Sequence, residues 1–134
     1  MRSLSIPYEQ FPVEVAGDYY VIPPFDPATE KITDGNRLWA MAVVLAHTVA
    51  TLRLTNVAEV GAGLGLPSMV CGADLIERDP VTLVKTRQTL QINGKSNLIL
   101  EQDWADVTTR FDSIIGSEVL YPGYPMSTLM EFID

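Results

Sequence analysis

Hydrophobic and polar positions along the chain fall into short runs separated by turn-forming residues. Residues 11–22 place Val13 and Val15 ahead of Gly17-Asp18 and a Tyr-Tyr-Val-Ile run, which predicts a hairpin around a glycine turn. Residues 23–36 are rich in turn formers and lead to a helix start, where Asp34 or Asn36 can serve as the cap. The helix that follows, Arg37 to Thr51, is apolar almost all round, so it is expected to pack against a sheet. Val57 to Gly61 reads as a short strand ending in glycines, and Leu64 to Cys71 as a short helix. Asp74 to Ile76 is a second strand. Asp79-Pro80 supplies a cap and a proline at the first helical position for a helix to about Asn93, with Gly94 as its stop. Asn97 to Glu101 and Asp112 to Gly116 are the third and fourth strands. A last helix, Met126 to Ile133, follows Pro122 and Pro125, with Met126 and Met130 spaced as core residues.

Strands alternating with helices imply right-handed βαβ units and a parallel sheet. The expected architecture is an α/β domain with about four parallel core strands, helices on both faces, and an N-terminal hairpin and helix. The whole chain, 1–134, reads as one domain, with the hairpin and loop in 1–36 and the core in 37–134.

Composition narrows the function classes. One cysteine excludes a disulfide framework and a multi-cysteine zinc cluster. With one histidine as well, no metal site is expected; His47 reads as a partly buried helix residue and Cys71 as a buried small apolar one. A net charge of −8 argues against nucleic-acid binding driven by phosphate neutralisation. The longest apolar stretch, Leu38 to Ala46, falls well short of the about 20 residues a span requires, and residues 1–10 lack an apolar signal core. A cytoplasmic protein without membrane contact is the expectation.

In a parallel sheet, ligands bind beyond the carboxyl ends of the strands. The first strand end reads Glu59-Val60-Gly61-Ala62-Gly63-Leu64-Gly65. A dinucleotide fingerprint would need glycine where Leu66 stands, and a P-loop ending at Gly94-Lys95-Ser96 would need glycine where Thr89 stands. Both fail on spacing. The E-x-G-x-G-x-G segment resembles the first motif of class I S-adenosylmethionine-dependent methyltransferases, whose fold is Rossmann-like. The second strand end carries Glu77 and Asp79, of which Asp79, directly before the helix, is favoured; the third carries Asp103 and Trp104.

The fourth strand and its continuation, Phe111 to Tyr121, look like the F-D-x-I-x-x-x-D-x-x-Y segment of the methyltransferase-like lysine methyltransferases (family 16). Trp39, the continuation of the glycine motif as G-L-P-S, Gly72-Ala73, Asn93 and Trp104 match the same family, so the resemblance covers about residues 13–121. It implies S-adenosyl-L-methionine as cofactor and a protein lysine as acceptor. Glu59, Gly61, Gly63 and Gly65 would border the methionine part, Asp79 would hold the ribose, Trp104 the adenine ring with Asp103 near its amino group, and Trp39 the cofactor from the helix side. Glu118 and Tyr121 would face the incoming amine as the catalytic pair. The family has Asp where Glu118 stands, and its fold continues for three strands beyond the fourth. Two expectations follow from that last departure: a homodimer through the uncovered sheet edge, or a chain that keeps the fold and binds a cofactor or partner without catalysis.

Overall fold

The computed structural model describes residues 12–24, 37–117, 119 and 126–134. Strands β1 (Val13–Val15) and β2 (Asp18–Tyr20) form the predicted hairpin, with Val15 opposite Asp18. Its two turn residues, Ala16 and Gly17, both have positive φ, 52° and 88°. That is the primed turn whose twist matches its flanking strands. Helix α1 (Ala40–Thr51) begins three residues later than its apolar pattern suggests, with Trp39 extended at the cap position. Asp34 and Asn36 lie outside the described residues.

The main sheet contains β3 (Val57–Val60), β4 (Asp74–Ile76), β5 (Ile99–Leu100) and β6 (Ser113–Gly116) in the order β5-β4-β3-β6, all parallel. Val60 pairs with both Ile76 and Gly116, and Ile76 pairs with Leu100, so the four strands finish on one line. β3 is buried along its whole length, as a central parallel strand must be. Between β3 and β4 runs α2 (Leu66–Cys71), and between β4 and β5 runs α3 (Pro80–Ile92).

Alternation along the strands sends side chains to the two faces of the sheet, in three clusters, one of which joins Val49 of α1 to Val57, Ala73 and Ile115. Leu75 joins Leu66, Met69 and Leu90 beneath α1, α2, α3 and the hairpin. Ala58, Val60 and Ile76 join Trp104 and Leu129 beneath the 3₁₀ turn Trp104–Asp106 and α4 (Met126–Ile133). Helices therefore cover both faces, as predicted. The hairpin is tied to α3 by Asn93, whose Oδ1 accepts from the Val21 N–H at 2.7 Å and whose Nδ2 donates to the Val21 carbonyl at 2.8 Å. Lys85 Nζ adds a bond to the Pro24 carbonyl at 2.6 Å.

Several expectations need correction. α1 packs on the sheet as expected, Val49 meeting Val57 and Ile115, but also packs extensively on α2 and leaves Met41 and Val44 exposed, because a helix apolar all round offers no phase to orient it. Met126 and Met130 are exposed, while Leu129 enters the core with Phe132 beside it. His47 is exposed and Cys71 half-buried. The edge of β6 away from β3 has no strand partner among the described residues; this is the edge where the sequence expects a second copy. Among the described residues, no helix is long and apolar enough to cross a membrane.

Candidate functional site

All four strands deliver their last residues to one end of the sheet, and a cleft of about 840 Å³ opens there, within the range of about 300–1,000 Å³ usual for small-molecule sites. Its floor is the glycine loop between β3 and α2. Gly61, Gly63 and Gly65 have φ of 58°, 56° and 84°, so every second residue of the loop is in the left-handed region. L-residues with side chains rarely adopt that region. The alternation folds the chain back from β3 into α2 and leaves a stretch of bare backbone against the cleft. A Cβ on Gly65 would lie 2.7 Å from Leu75 Cδ2, so this glycine is also required by packing.

Behind the loop lies Glu59, 1% exposed. Its Oε1 accepts from the Ser68 N–H at 3.2 Å and the Ser68 hydroxyl at 2.7 Å. Burial pushes its carboxyl up to about 8, against the pull of the Ser68 hydrogen bonds. Glu59 does not line the cleft; it holds the start of α2 under the glycine loop.

The second strand end brings two carboxylates to the cleft, and the geometry divides their work. Glu77 Oε1 accepts from the Gly63 N–H at 3.0 Å, and its Oε2 accepts from the N–H groups of Arg78 and Asp79 at 3.0 and 3.1 Å. Asp79 Oδ2 accepts from the Thr82 N–H at 3.1 Å and the Thr82 hydroxyl at 2.5 Å, capping α3. Asp79 thus does the ordinary work of a helix cap, while Glu77 fastens the glycine loop to the end of β4.

At the third strand end, Asp103 caps the 3₁₀ turn through the Ala105 N–H at 3.0 Å. Its Oδ2 also pairs with Arg78 Nη1 at 3.0 Å, bridging the ends of β4 and β5. Trp104 walls the cleft but is only 6% exposed; its ring sits in the core, and its Nε1 donates to Thr128 Oγ1 at 3.4 Å. Trp39 lines the opposite wall from the start of α1. The cleft therefore gathers Trp39, Gly61, Gly63, Gly65, Asp79, Asp103 and Trp104, with Glu59 behind it. Glu118 and Tyr121 lie outside the described residues.

Arg37, Arg78 and Gln102 also line the cleft and were not singled out from the sequence. The strand-end rule points to Arg78 and Gln102, but nothing local marks Arg78 as the partner of a residue 25 positions away. Among the described residues, no group of three His, Cys, Asp or Glu side chains gathers to hold a metal.

No protein-family model matches the chain, and no curated protein matches it. Solved structures do. The T. thermophilus 16S rRNA methyltransferase RsmC, in complex with AdoMet and guanosine, superposes with a TM-score of 0.57 at 20% identity, over 85% of this chain and 33% of that one. The Pyrococcus abyssi tRNA (uracil-54, C5)-methyltransferase, in complex with S-adenosyl-L-homocysteine, gives a TM-score of 0.53 at 15% identity, over 78% of this chain and 26% of that one. The chain thus spans a third or less of the length of these two proteins. At these identities the likeness is one of fold: the four-strand parallel sheet with helices on both faces is the Rossmann-like fold of class I methyltransferases.

Proposed function

We propose that the chain binds S-adenosyl-L-methionine and acts as an S-adenosylmethionine-dependent methyltransferase. The observation that carries this reading is the convergence, in one cleft at the strand ends, of three alternating left-handed glycines, the acidic edge of Glu77 and Asp79, and the Asp103-Trp104 corner. These residues suit the three parts of that cofactor. Bare backbone at Gly61, Gly63 and Gly65 accommodates the methionine part. A carboxylate at the second strand end accepts from ribose hydroxyls through charge-assisted bonds. We assign that contact to Glu77, because it stands directly against the glycine loop, its carboxylate fixed there by the N–H groups of Gly63, Arg78 and Asp79, and a carboxylate can accept further bonds. Asp103 and Trp104 border the adenine end, and Trp39 closes the cleft from α1.

Bound S-adenosylmethionine supplies a methyl group on a sulfonium, already strongly electrophilic. The chain's own task is alignment, which supplies most of the rate in a displacement of this kind. The acceptor in this reading is a protein lysine. Its amine must lose a proton and its water before it attacks, and Glu118 and Tyr121 are the residues proposed to accept the proton and orient the nitrogen.

A second reading, in which an RNA base is the acceptor, is favoured by the names of the two solved neighbours, both RNA methyltransferases. The net charge of −8 weighs against it. Incubation with methyl-labelled cofactor and a cell extract separates the readings. Label released by protease supports the lysine acceptor, and label released by ribonuclease supports RNA. Cofactor binding in a calorimeter with no label on any macromolecule supports a binding module without catalysis, and no binding at all ends the cofactor reading.

A further inference from the structure

The glycine loop is gripped from two sides at a single residue. The Gly63 N–H is held by Glu77, and the Gly63 carbonyl accepts from the Thr86 hydroxyl at 2.5 Å. Thr86 is fully buried on α3. Its one proton is shared with the Thr82 carbonyl at 2.9 Å, the helix's own acceptor one turn back. A threonine in a helix ordinarily spends its hydroxyl on that i−4 carbonyl. Here the hydroxyl reaches out of the helix to a loop 23 residues away in sequence.

The consequence follows from peptide geometry. The Gly63 carbonyl and the Leu64 N–H belong to one planar trans peptide and point in opposite directions. With the carbonyl drawn to α3, the Leu64 N–H is directed away from α3. Leu64 lines the cleft, and its N–H has no acceptor among the described residues. Leu64 as a residue is 3% exposed, and a donor at the cleft with no acceptor among the described residues can bond to an acceptor that arrives with a ligand.

We infer that Thr86 is a positioning residue for the cleft: by pinning the Gly63 carbonyl it presents the Leu64 N–H as a fixed donor to the ligand's α-carboxylate. The same contact withdraws the Gly63 carbonyl from the ligand's ammonium group, so this peptide reads the carboxylate of an amino-acid moiety. The inference rests on the cofactor reading above and adds the group that orients one of its contacts.

The test compares two ligands that differ by the amino-acid moiety. S-adenosylhomocysteine carries the α-carboxylate, and 5′-methylthioadenosine lacks it. Calorimetric titration of the full chain should show tighter binding of S-adenosylhomocysteine. Thr86→Val keeps the shape but loses the hydroxyl. It should weaken S-adenosylhomocysteine about tenfold, as expected for loss of one oriented bond to a charged group, and leave methylthioadenosine within about twofold. Thr86→Ser should restore the wild-type ratio, and Thr86→Ala, which cannot overfill the site, should repeat the valine result. A variant that merely loosened the fold would weaken both ligands in parallel, and that outcome overturns the inference, as does an unchanged ratio. If the wild type binds neither ligand, the cofactor reading falls and takes this inference with it. If it binds both but the ratio ignores Thr86, only the inference falls.

Discussion

Gly63 and Glu77 meet across two strands, the backbone N–H of the first donating to Oε1 of the second at 3.0 Å. The contact closes a ring. Glu77 Oε2 holds the Asp79 N–H, Asp79 holds Thr82, the Thr82 carbonyl shares the Thr86 proton, and Thr86 returns to the Gly63 carbonyl. Loop, strand end and helix start are thereby one polar unit, with every carboxylate in it held by N–H or O–H donors. A ligand in the cleft meets a surface whose dipoles are already oriented, which lowers the ordering cost of binding.

The first prediction separates the two carboxylates of that ring. Glu77→Gln keeps the shape but removes the charge and turns one accepting oxygen into an NH2 group, so it weakens both the contact to ribose hydroxyls and one of the carboxylate's grips on the backbone around it. S-adenosylhomocysteine affinity should fall roughly tenfold to a hundredfold, the equivalent of about 1.5–3 kcal/mol for a hydrogen bond involving a charged group. Asp79→Asn should leave affinity within a few-fold, because asparagine caps a helix about as well as aspartate. Calorimetry on both variants decides it. The reverse ranking would return the ribose contact to Asp79.

The second concerns the loop's packing. Gly65→Ala places a methyl group 2.7 Å from Leu75 Cδ2, against a fully buried side chain, at a residue with φ of 84°. Overpacking costs about 1–3 kcal/mol and the left-handed conformation about 1–2 more. Urea denaturation should show a loss of about 2–5 kcal/mol. The same substitution at Gly72, also a left-handed glycine but with nothing within 4 Å of its Cβ, should cost less. Equal losses at both sites would remove Leu75 from the account.

Much of this site is legible in the chain because its signals are local. Glycines at alternate positions after an apolar strand announce the loop, Asp79-Pro80 announces the start of α3, and strands alternating with helices announce the parallel sheet. What escapes the sequence depends on contacts far apart in it. β4 ends at Ile76, and Glu77 and Asp79 lie two residues apart beyond it, so alternation, which would place both on the same side, does not decide which faces the glycine loop. Arg78 finds Asp103, and Thr86 finds Gly63, only once the sheet is assembled. On α4, Met126–Met130 and Leu129–Phe132 are both apolar pairs at helical spacing. The core beneath Trp104 selects the second.

The third prediction concerns the link between hairpin and core. Asn93 satisfies both backbone groups of Val21 and also donates to the Thr89 carbonyl at 2.7 Å. Asn93→Ala removes all three bonds. At about 0.5–1.5 kcal/mol each, with water partly replacing them at a half-exposed site, the expected loss is about 1–3 kcal/mol. The hairpin should loosen first, since among the described residues Asn93 makes two of the bonds that tie it to α3 and Lys85 adds one at Pro24. Hydrogen exchange should therefore show residues 13–22 losing protection while β3 keeps its own. Uniform loss across the chain would mean that Asn93 supports the whole fold and not this junction.

The fourth turns on the sign of a proton. Burial raises the Glu59 carboxyl to about 8, with a smaller push from the charge on Glu77 and an opposing pull from Ser68, whereas its ordinary value is 4.5. Between those values the folded chain holds a proton that the unfolded chain has released, so stability falls as pH rises. The contribution is fully present below the ordinary value and is lost as pH climbs through the folded one. Glu59→Gln keeps an acceptor for the Ser68 hydroxyl and N–H but cannot ionise. Urea midpoints measured at about pH 5 and about pH 8 should drop with rising pH in the wild type and change less in the variant, which should be the more stable chain at the alkaline end. Carboxylates remote from Glu59 contribute alike in both chains, so the difference between the two slopes reports Glu59 together with its coupling to Glu77. Identical slopes would mean that Glu59 is ionised in the folded chain across this range, and that its charge is balanced beneath the glycine loop by more than Ser68.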